Sequence, residues 1–381
     1  MRYLSLKHMS LKQKIYDNKA NILLLVLWSV FQLLMYYNSK IVTISEAEKY
    51  INAAYEMNNY GRFPVHYISY SSYVVFLAIL FKLGLNYFGV YLVQLGLNLL
   101  ATIAFFKIVK TITNHQLTAY IAVTMYILFY QLQHWNTHLF TESFMVSILM
   151  IFWYYILHIN LKKAAGKISL TILVIVFLFS RPTAILFLPG ILIYWILRNK
   201  TLLKEAIQLK WIILSAFVLL ILFICFIHFE KRVLFSDLFI SLQEGQTICG
   251  TNYFQEHFVS MEQNNAFLQN LIVFCKVSCK KLLLFYGFIR PFYSMSHNLM
   301  LMAYYPVYPL AIIGIVKSKI NKEHQYMMLT FILLINLLLI ITCDSWEGRF
   351  IVPILPFIIV FAAIGLNKII TLFINSYHKQ Y

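Results

Sequence analysis

Hydrophobic residues in this chain come in long runs, broken by short polar and basic interruptions. Runs of that length predict membrane-crossing helices rather than the faces of a soluble core. The first run, Asn21–Tyr37, follows a polar, basic stretch, Met1–Lys19. It is long enough to span, and the Tyr-Tyr-Asn-Ser-Lys after it is a poor cleavage site, so a retained helix is expected, not a signal peptide. The polar segment Val42–Tyr67 comes next. Within it Ala47, Tyr50, Ile51, Ala54 and Tyr55 recur at one-face helical spacing, opposite Glu48, Lys49, Asn52 and Glu56. That pattern predicts an amphipathic helix lying on an apolar surface, here expected to be the membrane.

Tyr67–Gly84 is apolar but short, and charge decides its topology. If it spans, the basic turns at Lys107–Lys110, Leu161–Lys167 and Ile320–Gln325 fall outside; if it re-enters the outer leaflet, they fall inside. The positive-inside rule favours the second arrangement. Further spans are then expected at Val90–Lys107, Ala119–His134, Glu142–Ile159, Ile168–Ser180, Thr183–Leu197, Trp211–Phe229, Leu299–Val316, Tyr326–Thr342 and Phe350–Phe373. The expected fold is an all-α polytopic membrane protein with about ten transmembrane helices. It reads as a single membrane domain over 1–381, with external loops near 38–87 and 230–298.

Composition agrees with the pattern. The chain is 61% hydrophobic and 12% charged, which excludes an ordinary soluble domain. Its net charge of +17 is spread over many short loops, which is how topology is set, so no nucleic-acid partner is expected. The five cysteines are read as packing residues. Under the favoured topology, eleven of the 14 acids lie outside, where a site using carboxylates would have to be.

Four external stretches hold candidate chemistry. Ser45-Glu46-Ala47-Glu48 opens the amphipathic helix, and its competing explanation is a helix-capping box. His134–Ser143 contains His138 and ends in Thr141-Glu142-Ser143. Glu142 stands at a costly water–hydrocarbon boundary, or serves as the acid beside an N-cap Thr141. His134 and His138 with Glu142 leave a divalent metal open, without any signature spacing. Arg181-Pro182-Thr183 sets an arginine at a span junction, suited to phosphate or to snorkelling. Asp344–Phe350 places Trp346 and Arg349 just before the last span, where Arg349 meets a lipid phosphate or a neighbouring acid.

Taken in order, these pieces resemble the GT-C superfamily of membrane glycosyltransferases, of the protein mannosyltransferase and aminoarabinose transferase type. The resemblance runs from about Ile41 to Leu366. It rests on Ser45-Glu46 with Tyr50, Gly61-Arg62-Phe63-Pro64, Tyr67–Gly84, Thr141-Glu142-Ser143, Arg181-Pro182-Thr183 and Arg349-Phe350 with Pro353 and Pro356. It implies transfer of a sugar from a polyprenyl-phosphate donor to an acceptor hydroxyl, at an outward-facing site in a bacterial inner membrane. The catalytic acids implied are Glu46, Glu48 and Glu142. Arg349, Arg181, Arg290 and Lys280 are implied for the donor phosphate, and Tyr50, Arg62, Tyr67, His138 and Trp346 for acceptor or lipid contact. One departure stands out: Ser45 occupies the position where the family's catalytic Asp is usual. A non-catalytic accessory protein and a lipid or solute transporter are the alternatives. Few charges lie near the membrane midplane, which argues against the transporter.

Overall fold

The computed structural model describes residues 11–159, 163–198, 293–341 and 346–380, with individual positions between 275 and 289. Among the described residues the chain is helical apart from turns and one isolated parallel bridge, Val42 to His138. Among the described residues six helices are long and apolar enough to cross a membrane: Asn18–Ser39, Val65–Lys82, Tyr87–Thr113, Thr141–His158, Lys322–Ile340 and Leu355–Ser376. Four shorter apolar helices accompany them (Gln116–Leu128, Ala164–Leu178, Pro182–Arg198 and Val307–Lys317). The protein is therefore an all-α polytopic membrane protein. Trp211–Phe229 and most of the 230–298 loop lie outside the described residues.

The chain forms two compact units. The first comprises Met1–Pro182, Leu310–Lys317 and Ile359–Tyr381. It is built from α1 (Leu11–Ser39), α2 (Glu46–Tyr60), a 3₁₀ turn at Val65–Tyr70 and α3 (Ser71–Lys82). Then come α4 (Tyr87–Thr113), α5 (Gln116–Leu128), the short α6 (Tyr130–Gln133), a second 3₁₀ turn at His134–Thr137, α7 (Thr141–His158) and α8 (Ala164–Leu178). Helix α7 is its core, packed against α4 and α8. Asn86 starts α4 by accepting a hydrogen bond from the Gly89 amide at 2.9 Å, and Asn114 ends it in the left-handed conformation.

Between membrane helices lipid is as apolar as leucine, so polar bonds contribute specifically, at about 0.6 kcal/mol each. Helix α4 carries such a stripe in Gln94, Asn98 and Thr102, all buried. Trp28 of α1 donates to Asn98 Oδ1 at 2.9 Å, which ties α1 to α4.

The second unit comprises Thr183–Pro309 and Ser318–Ile358. Here α9 (Leu188–Arg198) packs on α12 (Lys322–Ile341), and α10 (Met295–Met302) precedes α11 (Val307–Lys317), whose residues from Leu310 onward belong to the first unit. Phe331 joins them, its ring 4.6 Å from that of Phe187 and 5.0 Å from that of Phe357. The last helix, α13 (Leu355–Gln380), belongs to the first unit from Ile359 onward. There Gly314 of α11 and Gly365 of α13 let the two backbones touch, since a Cβ at either would strike the opposite helix's carbonyl oxygens.

Several boundaries differ from the sequence expectation, each for a local reason. The expected span Leu299–Val316 is broken after Met302 by a turn leading to Pro306, which cannot continue the preceding helix. Ala119–His134 breaks at Phe129, whose extended backbone (ψ 103°) separates α5 from α6. Tyr67–Gly84 is a 3₁₀ turn followed by the twelve-residue α3, and the stretch Val65–Lys82 is long and apolar enough to count among the spans. Helix α2 does bury Ala47, Tyr50, Ile51 and Ala54, but against α3 rather than directly on lipid. Tyr55 is exposed, its ring stacked on Phe81 at 4.8 Å. Cys275 and Cys279 are exposed free thiols rather than packing residues.

Candidate functional site

The first unit gathers four of its segments at one point. After α1 the chain runs extended through Val42, whose amide donates to the Thr137 carbonyl at 2.9 Å, while the Leu139 amide donates to the Val42 carbonyl at 3.1 Å. This pairing sets the start of α2 alongside the start of α7. Ser45 makes the corner between them with φ 64° and ψ −121°, a conformation that favours glycine. Its side chain makes no capping bond, so the capping-box explanation of Ser45 and Glu48 does not hold. Thr141 likewise lies inside α7, after the N-terminal residue Phe140, which makes no side-chain cap.

Glu142 is fully buried in the first turn of α7. Its Oε1 accepts a hydrogen bond from Arg181 Nη1 at 2.6 Å, in an ion pair whose side chains are 0% and 8% exposed. Arg181 follows the end of α8, where the Ser72 amide at the start of α3 donates to the Phe179 carbonyl at 3.0 Å. Two charges withdrawn from water in this way are stabilising only as a pair.

Tyr50 lies on the buried face of α2, one turn after Glu46. Its ring sits 5.3 Å from Tyr70, 5.6 Å from Tyr73 and 6.4 Å from Tyr67. Burial pushes its hydroxyl far above the ordinary tyrosine range. Tyr70 and the negative fields of Glu142 and Glu46 push the same way, against a smaller opposing pull from Arg181. The phenol is therefore a neutral hydrogen-bond donor with two carboxylates and a guanidinium in electrostatic reach. Glu46 is half-buried beside it, whereas Glu48, about 200° further round the helix, is exposed.

A polar scaffold holds the turn that bears Glu142. Gln94 Nε2 donates to the carbonyls of Asn136 (3.2 Å) and His138 (2.9 Å), and its Oε1 accepts from the Tyr73 hydroxyl (3.2 Å). Asn136 Nδ2 donates to Gln32 (3.0 Å) and Gln133 (2.9 Å), and its Oδ1 accepts from Ser143 (2.5 Å). His138 is buried with its Nδ1 between Thr137 Oγ1 and the His134 carbonyl. Among the described residues no group of three His, Cys, Asp or Glu side chains is placed to hold a metal. Sequence reasoning missed Tyr73, Gln94 and Asn136. A glutamine amid the apolar run of α4 was the available signal.

Arg62 is exposed just beyond α2, and Tyr67 is half-buried in the 3₁₀ turn. Arg349 is buried in the second unit, in the 3₁₀ turn Trp346–Ile351 that Trp346 opens. Arg290 and Lys280 lie outside the described residues.

This helical membrane scaffold, with an acid-bearing first loop leaning on a buried Glu–Arg pair, matches the model of the Alg9-like mannosyltransferase family over residues 36–380. The chain belongs to that family. It is thus a membrane glycosyltransferase of mannosyltransferase type and of the GT-C fold. No curated protein and no solved structure matches the chain. Membership covers both units, so the cluster around Glu142 and the Arg349 turn both lie within the family's span.

Proposed function

We propose that this Alg9-like protein transfers a sugar, mannose being the family's expectation, from a polyprenyl-phosphate donor to an acceptor hydroxyl on the extracytoplasmic side of a bacterial inner membrane. The observation that carries this reading is the Val42–His138 pairing, which sets Glu46 and Tyr50 beside the Glu142–Arg181 pair. In the reaction the acceptor oxygen bonds to the sugar's anomeric carbon as the bond from that carbon to the phosphate oxygen breaks. The acceptor proton passes to the Glu46 carboxylate, and the electron pair leaves with the polyprenyl phosphate. Glu46 is preferred over Glu48, because it is half-buried beside Tyr50 whereas Glu48 is exposed. Tyr50 donates a hydrogen bond to substrate oxygen. Arg349 neutralises the leaving phosphate, with Arg290 and Lys280 as further candidates. The stretch Tyr67–Gly84 borders the prenyl tail, while Arg62 and Trp346 meet lipid or acceptor.

Ser45 at the usual Asp position keeps a second reading in play, a family member that binds donor without turning it over. One experiment separates the two. Protein reconstituted in liposomes is given polyprenyl-phosphate mannose with glycan, lipid and peptide acceptors. Release of polyprenyl phosphate with a mannosylated product supports transfer; saturable donor binding without product supports the silent member, and neither outcome supports a different donor class.

A further inference from the structure

The first unit carries a second site at the opposite end of α4 from the Glu142 cluster. A groove of about 470 Å³ lies between α1, α4 and α5. Its walls are three helical stripes: Leu24, Leu25 and Trp28 on α1, Leu99, Ile103 and Phe106 on α4, and Val123 with Ile127 on α5. Asn21, Lys107 and Lys110 line the same groove at one end, and none of its lining residues is acidic. The two lysines, three apart on one face of α4, lie against aromatic rings. Lys107 Nζ is 5.4 Å from the centroid of Tyr154, and Lys110 Nζ is 6.0 Å from that of Phe106. From Lys110 to Leu99 the groove follows α4 for about 16 Å, roughly the depth of one leaflet's hydrocarbon. Neighbouring α1 residues Ile22, Leu23 and Val26 are exposed, so this side of the unit faces lipid.

We propose that the groove binds one anionic phospholipid of the bilayer, its acyl chain along the α1–α4–α5 walls and its phosphate on Lys107 and Lys110. Length, apolar lining and a cationic mouth together fit a phospholipid. Lys107 stands about 20 Å along α4 from Gln94, which places this lipid away from the cluster around Glu142. The site does not depend on the catalytic assignment.

A photo-crosslinking residue at Ile103, in protein reconstituted in mixed phosphatidylglycerol and phosphatidylcholine, tests it by mass spectrometry. The expected adduct is phosphatidylglycerol, enriched over its share of the bilayer. Lys107→Gln with Lys110→Gln lowers that enrichment on the order of tenfold without changing total lipid adduct. Adducts in proportion to bulk lipid, enrichment unchanged in the double variant, or crosslinks to this chain's own N-terminal residues or to another protein would each overturn the proposal. A polyprenyl-phosphate adduct from native membranes would overturn it too, by making the groove a donor site.

Discussion

Glu142 and Arg181 answer at the residue scale what a lone carboxylate in a membrane helix needs. Because both are buried, removing one strands the other. Arg181→Ala is expected to destabilise by about 3–5 kcal/mol, and Glu142→Gln combined with Arg181→Met by less than Arg181→Ala alone, read by thermal unfolding in detergent. Tyr50 has a pH signature. Its proton is held in the folded protein to higher pH than in the unfolded chain, whose value is near 10. Above that pH unfolding releases a proton, so the stabilising contribution is complete below pH 10 and declines as pH rises toward the raised folded value. Tyr50→Phe should therefore lose less thermal stability than wild type between about pH 9 and pH 11. An identical pH slope in both would contradict the burial argument.

At the element scale, α2, the α7 turn and α4 are held together by bonds that no periodicity reveals. Gln94→Leu removes the donor to two buried carbonyls at once and should cost about 1–3 kcal/mol for each, with transfer falling alongside. Unchanged stability would mean that the turn is held elsewhere. The apolar spacing of Ala47, Tyr50, Ile51 and Ala54 made α2 and its buried face legible, and the cost of a membrane carboxylate singled out Glu142, with solvation or pairing both open. The identity of its partner was not legible, since Arg181 lies 39 positions away. Nor was the Val42–His138 pairing, which rests on backbone groups that every residue type carries. The capping motifs misled because Ser45 spends its position on a corner with positive φ instead of a cap. Helix breaks at Phe129 and at the turn before Val307 were not legible either, as hydropathy averages over short non-helical segments.

For the whole molecule, hydropathy was sufficient to establish a polytopic helical protein, and the ordered weak motifs were sufficient for its glycosyltransferase class. The account turns on Glu46 as the proton acceptor and Glu48 as a solvated surface residue. The most direct measurement compares the transfer rates of Glu46→Gln and Glu48→Gln in equally folded protein. The account predicts a loss of about 100-fold or more for Glu46→Gln and a near wild-type rate for Glu48→Gln. Full activity in Glu46→Gln, or the loss falling on Glu48→Gln instead, would contradict it.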